Sequence, residues 1–524
     1  MVGPAAAGAA RAYDHVVVGG GGAGCVVARR LAERGSAVLL LEAGPDDAGR
    51  EDVADAGSWP AMLGGELDWG VSYAPSPQVA GRRIPLPRGR VLGGSSSTNA
   101  MLWYRGHPSD YDGWDLPGWG WADVAPRLEL AERVLRVERP RDPHPVATAL
   151  VDAVVAAGRQ GAGGLAELAE LTAAAEDDGA GGVRSRRWST SRAYLRELPP
   201  LEQLPGSGSL TVVTGSPALR VEVEGGRATG VVHLLDGQPV TSALVSGGEV
   251  VLCAGAVETP RLLLASGVGD PADLARLGVP VVSALAGVGR NLQDHPLLEG
   301  VTLRLREPRG PVRDNGGGAV WNWRSASPRS DAPDLHCFVT QAACATPAVA
   351  QAHELDRSDP HLVGLGVGLM GSRSRGHLVV RDLAPGGAVD LHPGLLADPA
   401  DRAALLEGLR DVLDLADGPV FSALGAQRLA PLPTLTSDTG DTDLEELMSL
   451  ACTTFFHACG TAAMGRQDDG TAVLDPELRV RGVDGLRVAD ASAFPTVPTS
   501  NTLAPVVALA ERAADLLVPW SVRR

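Results

Sequence analysis

An α/β fold is predicted by three features of residues 14–44, DHVVVGGGGAGCVVARRLAERGSAVLLLEAG: a short apolar strand, a glycine-rich turn at its end, and a second strand that stops on an acid. With a helix between the strands they make one Rossmann-like βαβ unit. Residues 15–18 are an apolar run that reads as a buried strand. Gly19, Gly21 and Gly24 then fit G-x-G-x-x-G. Gly19 allows the tight turn, Gly21 lets a pyrophosphate approach the amides at a helix N-terminus, and Gly24 lets that helix pack close to the sheet. Residues 25–34 carry helical apolar spacing with arginines on the far face, and 37–41 are the second strand. Glu42, at its end, can bind a ribose hydroxyl pair; an ordinary glycine-rich turn would leave this acid without a purpose. The stretch therefore reads as dinucleotide binding, with NAD and FAD both open because they share the ADP half.

Composition bounds the rest. A chain of 524 residues is too long for one simple core, so two domains, interleaved or in series, are expected. A net charge of −17 argues against nucleic acid and against an anionic membrane surface as partners. All 46 basic side chains are arginine, which excludes a lysine Schiff base. Cys25, Cys253, Cys337, Cys344, Cys452 and Cys459 form no C-x-x-C pair and no zinc-like spacing, so no metal site is expected and buried thiols in a reducing cytoplasm are. The first dozen residues, rich in Ala and Gly and without an apolar core, read as a disordered tail and not a signal peptide. No apolar run is long enough to span a bilayer, so a soluble, cytoplasmic protein is expected.

Further along, Gly89-Arg90-Val91-Leu92-Gly93-Gly94-Ser95-Ser96-Ser97-Thr98-Asn99 is a loop of small residues that can lie against a cofactor, with apolar 100–103 after it. Residues 146–157 read as an amphipathic helix, and 161–182 as a low-complexity, mobile surface segment. Three strand-like runs, 210–213, 219–223 and 229–234, suggest a β-meander that rejoins the first domain. Residues 249–253 are another buried strand, running into Ala254-Gly255-Ala256. From 298 to about 441 the strands lengthen and carry Trp321, Asn322, Trp323, His336 and Phe338, with a helix over 400–415 and no phosphate loop. This block reads as the substrate side, where Trp321, Trp323, His336 and Phe338 are candidates for the pocket wall and also for core. A strand over 486–490 and a helix over 504–517 close the chain.

Several of these stretches, in order, resemble the glucose–methanol–choline (GMC) oxidoreductase family. They are the 89–99 loop, Arg187-Trp188-Ser189 through Ala193-Tyr194-Leu195, Gly255-Ala256-Val257-Glu258-Thr259-Pro260-Arg261, Gly287-Val288-Gly289-Arg290-Asn291-Leu292-Gln293-Asp294-His295-Pro296, and Val488-Ala489-Asp490-Ala491-Ser492. The resemblance covers 14–518. It implies a Rossmann-like FAD-binding domain of GMC type over 13–300, with loop and lid insertions at about 60–200. An inserted α+β substrate-binding domain on an antiparallel sheet would occupy 301–441, and 442–520 would return to the FAD-binding domain with the catalytic pair. By position the cofactor would meet Gly19, Gly21, Gly22, Ala23 and Gly24, then Glu42, Ala43 and Trp69. It would also meet Arg90, Gly93, Gly94, Asn99, Ala100, Met101 and Leu102, and finally Ala218, Ala254, Asp490, Ala491 and Thr502. Some members attach flavin through a histidine just before that Asn; here Thr98 stands there, so non-covalent FAD is expected.

The family's chemistry is alcohol oxidation, which needs a base for the hydroxyl proton while hydride leaves the carbinol for flavin N5. Histidine, with an unperturbed pKa of about 6.5, suits that task. His457 occupies the family's catalytic position and Asn501 its partner position; the residue-level alternative for Asn501 is a cap for the helix near 504. The family usually has Pro-Val after the histidine, whereas this chain has Ala458-Cys459, which removes the proline's restriction on the loop. Asp294-His295 reads as structural and Cys459 as an inert thiol. The function expected is thus FAD-dependent oxidation of a primary or secondary alcohol, with oxygen or an external carrier as electron acceptor. The alternatives are a non-redox hydroxynitrile lyase that keeps FAD, and an electron-relay protein without turnover. Substrate identity and oligomeric state stay open at this stage.

Overall fold

The computed structural model describes residues 12–160, 164–177 and 182–519. The N-terminal tail read from the sequence lies outside them, apart from its last residue. Strand β1 (Tyr13–Val18), helix α1 (Gly24–Glu33) and strand β2 (Ala37–Leu41) form the expected unit, β1 and β2 pairing in parallel from His15↔Val38 to Val18↔Leu41. Gly24 acts as the motif demands: a Cβ there would sit 1.8 Å from the Gly19 carbonyl oxygen, so only glycine lets the helix start this close to the strand. Strand β3 (Ser209–Val213) pairs in parallel with β2. It therefore extends the parallel sheet and stands apart from the meander that the sequence suggested.

The meander itself consists of β4 (Ala218–Glu224), β5 (Arg227–Leu235) and β6 (Gln238–Leu252), antiparallel to one another. The far end of β6 runs parallel to β1, and the short strand Leu486–Val488 adds to its other edge. The sheet order is β4-β5-β6-β1-β2-β3, with Leu486–Val488 branching from β6. Helix α2 (Gly255–Ala265) leaves β6, and the C-terminal helix Leu503–Leu517 packs on α1 and on the helix Trp121–Leu135.

A second seven-stranded sheet is antiparallel. Its centre is β7 (Pro296–Arg304), β8 (Ala319–Trp323), β9 (Leu335–Thr340) and β10 (Leu362–Leu369), in the order β7-β10-β9-β8. Gln427–Ala430 and Cys452–Thr454 pair with β7, and Gly164–Leu168 pairs with β8. The sheet thus draws strands from outside the 301–441 block. Helix α3 (Pro399–Ala416) covers one face through Leu405, Leu409, Val412 and Leu413.

One sequence expectation needs correction here. Within 161–182, read as a mobile surface segment, Gly164–Leu168 and Leu171–Asp177 are ordered strands; 161–163 and 178–181 lie outside the described residues. Small residues such as Ala166 and Ala173 give a weak apolar signal, and backbone pairing to β8 and to Val183–Arg187 supplies the order instead. Trp321 and Trp323 stack at 3.7 Å and 7°, with Trp323 Nε1 donating to Asp411 of α3. Of the two readings left by the sequence, core and pocket wall, they take the first, buried beneath α3 and the helix Pro145–Ala156. Among the described residues no helix is long and apolar enough to cross a membrane, and no metal-ligating cluster occurs.

Candidate active site

One cavity runs from the turn after β1 to the open face of the second sheet. All the residues read from the sequence as cofactor-binding or catalytic line it, except Gly24, Arg90 and Gly93. Gly24 is spent on packing. Arg90 places its guanidinium over the Trp69 ring at 5.8 Å. Gly93, at a left-handed φ of 89°, donates its amide to Gly20 O and closes the two glycine loops on each other.

The first arm of the cavity fits a dinucleotide. Gly21, Gly22 and Ala23 bring the first turn of α1 to its wall, where a helix N-terminus favours phosphate. Gly94 packs on Gly21 so closely that a Cβ would lie 2.8 Å from the Gly21 Cα. Glu42 accepts the amides of Gly20 at 2.8 Å and Gly44 at 2.7 Å, which fixes its carboxylate at the wall, and burial pushes it up to about 7. Asp490 accepts from Gly255 N at 2.8 Å, from Thr259 Oγ1 at 2.6 Å and from Ser492 N at 2.7 Å. Its carboxylate is fully engaged, so what it offers the cavity is the backbone of Ala491. Asn99 likewise spends its Oδ1 on Arg187 Nη1 and Met101 N.

At the second arm His457 and Asn501 meet, with Asn501 Nδ2 at 3.3 Å from His457 Nε2 and both side chains buried. Asn501 is no helix cap: Thr502 is the N-cap residue, and no side chain bonds there. Because Nδ2 only donates, Nε2 of His457 accepts and the proton of the neutral ring is on Nδ1. That Nδ1 lies 2.9 Å from Nδ1 of His295, which must then be the acceptor. Burial, then His295, Arg88 and His336, hold His457 well below the ordinary imidazole range; burial and His336 hold His295 down to about 3.

The loop that carries His457 needs no proline. Cys459 and Gln293 exchange backbone hydrogen bonds at 3.0 Å each, and Gly460 N donates to Ala491 O at 3.0 Å. Asp294 accepts the His457 amide at 2.9 Å and the Tyr73 and Thr454 hydroxyls. Phe456 is held at a left-handed φ of 65°, with its carbonyl accepting from Arg88 Nη2. Burial pushes the Cys459 thiol up, so it supplies no thiolate.

Two residues of this site, Arg88 and Glu299, escaped the sequence reading, and a third, His295, was read there as structural. His295 touches His457, though its only signal was an acid and an imidazole side by side. Arg88 lines the cavity one residue before the glycine loop, and Glu299 lines it from β7. Of the pocket candidates, Phe338 lines the cavity, while His336 is buried behind it and hydrogen-bonds Asn322 at 2.7 Å.

Comparison with known proteins identifies the family. The chain matches the family model described as GMC oxidoreductase over residues 13–297 and again over 372–510. It is 36% identical to an uncharacterised GMC-type oxidoreductase of Mycobacterium tuberculosis, over 96% of this chain and 99% of that one. It is 33% identical to the mitochondrial choline dehydrogenase of Mus musculus, over 96% and 89%. The crystal structure of pyridoxine 4-oxidase from Mesorbium loti superposes with a TM-score of 0.83 at 28% identity, over 96% of this chain and 98% of that one.

Proposed function

The chain belongs to the GMC oxidoreductase family with FAD as its cofactor, and on that premise we propose that it oxidises the CH–OH group of a small primary or secondary alcohol to a carbonyl. The observation that carries this reading is the 3.3 Å contact between Asn501 Nδ2 and His457 Nε2, in the same cavity as the dinucleotide cradle. His457 takes the hydroxyl proton at Nε2. The imidazolium that results keeps its Nδ1–H on His295, which stays neutral and accepts. Asn501, whose Nδ2–H is then released from Nε2, donates to the developing alkoxide in a water-poor site. FAD, when bound, supplies the acceptor for the hydride. The residues that would hold it are those of the first arm, with Glu42 toward the ribose and the start of α1 toward the pyrophosphate. Binding without a covalent tether is part of the reading, since Thr98 is the wall residue before Asn99.

Choline and pyridoxine, named in two of the relatives, are both alcohols, which supports the substrate class. The 13–300 and 442–520 segments act as the FAD side and 301–441 as the main substrate side. The reduced cofactor passes its electrons to oxygen or to an external carrier. Anaerobic mixing with a panel of alcohols tests the proposal: the visible flavin band bleaches with at least one of them. No bleaching with any alcohol, alongside cleavage of a hydroxynitrile, would replace it with a lyase. Peroxide release against reduction of an artificial dye then separates the two acceptors.

A further inference from the structure

Strand β10 reads Leu-Val-Gly-Leu-Gly-Val-Gly-Leu, and its period of two sorts the residues by face. Val363, Leu365, Val367 and Leu369 are buried, while Gly364, Gly366 and Gly368 leave the other face bare. Aromatic rings fill that bare face. A Cβ on Gly366 would lie 2.4 Å from the ring of Phe338, and one on Gly368 would lie 1.9 Å from Phe455. Phe455 in turn lies parallel to the His457 ring, at 5.5 Å and 4°.

Register places one charged residue among these rings. On β7, Leu297 stands opposite Gly368 and Glu299 opposite Gly366, so both share the face of Phe455 and Phe338. From His457 outward the wall therefore reads Phe455 with Leu297, then Phe338 with Glu299. The Glu299 carboxylate makes no hydrogen bond and no ion pair within 4.0 Å to any described residue. Burial pushes its carboxyl up; Arg357, also on the cavity wall, is the one charge that pulls it back. Glu299 is only partly buried and faces the cavity from this apolar wall, so a cation entering there meets a carboxylate that no other side chain already holds. About 13 Å of extended chain separates the Cα atoms of His295 and Glu299, so Glu299 stands toward the end of the wall away from the His295–His457 pair. The ends also differ in sign, with Arg88 beside the carbinol end, where alkoxide develops, and Glu299 at the other.

We propose that Glu299 anchors a protonated amine at the far end of the alcohol substrate, with an aryl or medium alkyl spacer resting on Phe338 and Phe455. This deepens the alcohol-oxidation reading and rests on it. The test compares 4-(2-aminoethyl)benzyl alcohol with its neutral isostere 4-propylbenzyl alcohol on the FAD-loaded enzyme. The amine is expected to lead in kcat/KM by at least about tenfold, as a charge-assisted contact should give. In Glu299→Gln that ratio collapses toward one, and in Glu299→Asp, which keeps the charge, a preference remains. An unchanged ratio in Glu299→Gln, or a wild-type preference for the neutral alcohol, overturns the proposal. So does an equal loss of melting temperature in Glu299→Gln and Arg357→Gln with no change of ratio, since Glu299 would then serve only to pair with Arg357. Binding of 2-(4-methylphenyl)ethylamine, which has no carbinol, is read from the flavin difference spectrum. Its weakening by about tenfold in Glu299→Gln supports the anchor even where no alcohol is oxidised, so the two readings fail separately.

Discussion

An imidazole must be unprotonated before it can act as a base, and burial and three titratable neighbours of His457 push it that way. Burial is the largest cause, followed by His295, Arg88 and His336, and all four lower its pKa. The acting form is the unprotonated ring, so kcat/KM falls only as pH drops through that lowered value. The acid limb is therefore expected below the ordinary imidazole pKa of about 6.5. In His295→Asn one lowering contact is gone and the limb moves to higher pH; a limb that stays put would mean that His295 does not touch the base in solution. His457→Ala should cut kcat by about 10²–10⁴-fold, and Asn501→Ala by about 10²–10³-fold, with the flavin spectrum retained in both. That His457 and Asn501 would meet could be expected from the family positions they occupy, and the structure brings them to 3.3 Å. The role of His295 was not legible, because the contact that gives it a role lies 162 residues away along the chain.

Among the elements, the glycine strand β10 has the most to say about the pocket. Gly368→Ala would place a Cβ 1.9 Å from Phe455, the ring stacked on His457, so the ring or the strand must move. Overpacking of this kind costs about 1–3 kcal/mol, read as a lower denaturation midpoint, and it should also lower kcat by displacing the imidazole. Phe455→Ala in the same chain removes the clash, so the double variant should be more stable than the sum of the two single losses. Simple additivity would show that the two sites do not meet. The sequence does not say what rests on a bare glycine face. The same limit hid the strands within 161–182: alanine and glycine carry little periodic signal, and only pairing across to β8 and to 183–187 orders them. The tryptophans of β8 were legible as buried, and the structure assigns them to the core, the alternative their strand position favoured.

On the scale of the whole molecule, the parallel unit, two of the three meander strands and the change of pattern after residue 298 were legible. The crossing of the second sheet by 164–168 and 452–454 was not, because long-range pairing leaves no local trace. That crossing has a thermodynamic consequence. The arm proposed to hold FAD is walled by pieces from 18–23, 41–43, 87–102, 216–218, 253–262 and 490–506, so a cofactor seated there would touch segments drawn from almost the full length of the chain. A ligand held only by the folded state stabilises it by RT ln(1 + [L]/Kd), about 2.7 kcal/mol at a hundredfold excess over Kd. Stripping FAD should therefore lower the melting temperature, and adding it back should restore the melting temperature in step with FAD concentration. Because the segments that hold the cofactor also carry the first sheet, flavin fluorescence should rise at the same temperature at which far-UV circular dichroism is lost. Glu42→Gln, which alters the acceptor pinned by Gly20 and Gly44, should lower both transitions together. Flavin release well before the loss of secondary structure would place the cofactor on a local, separately melting loop and not on this shared frame.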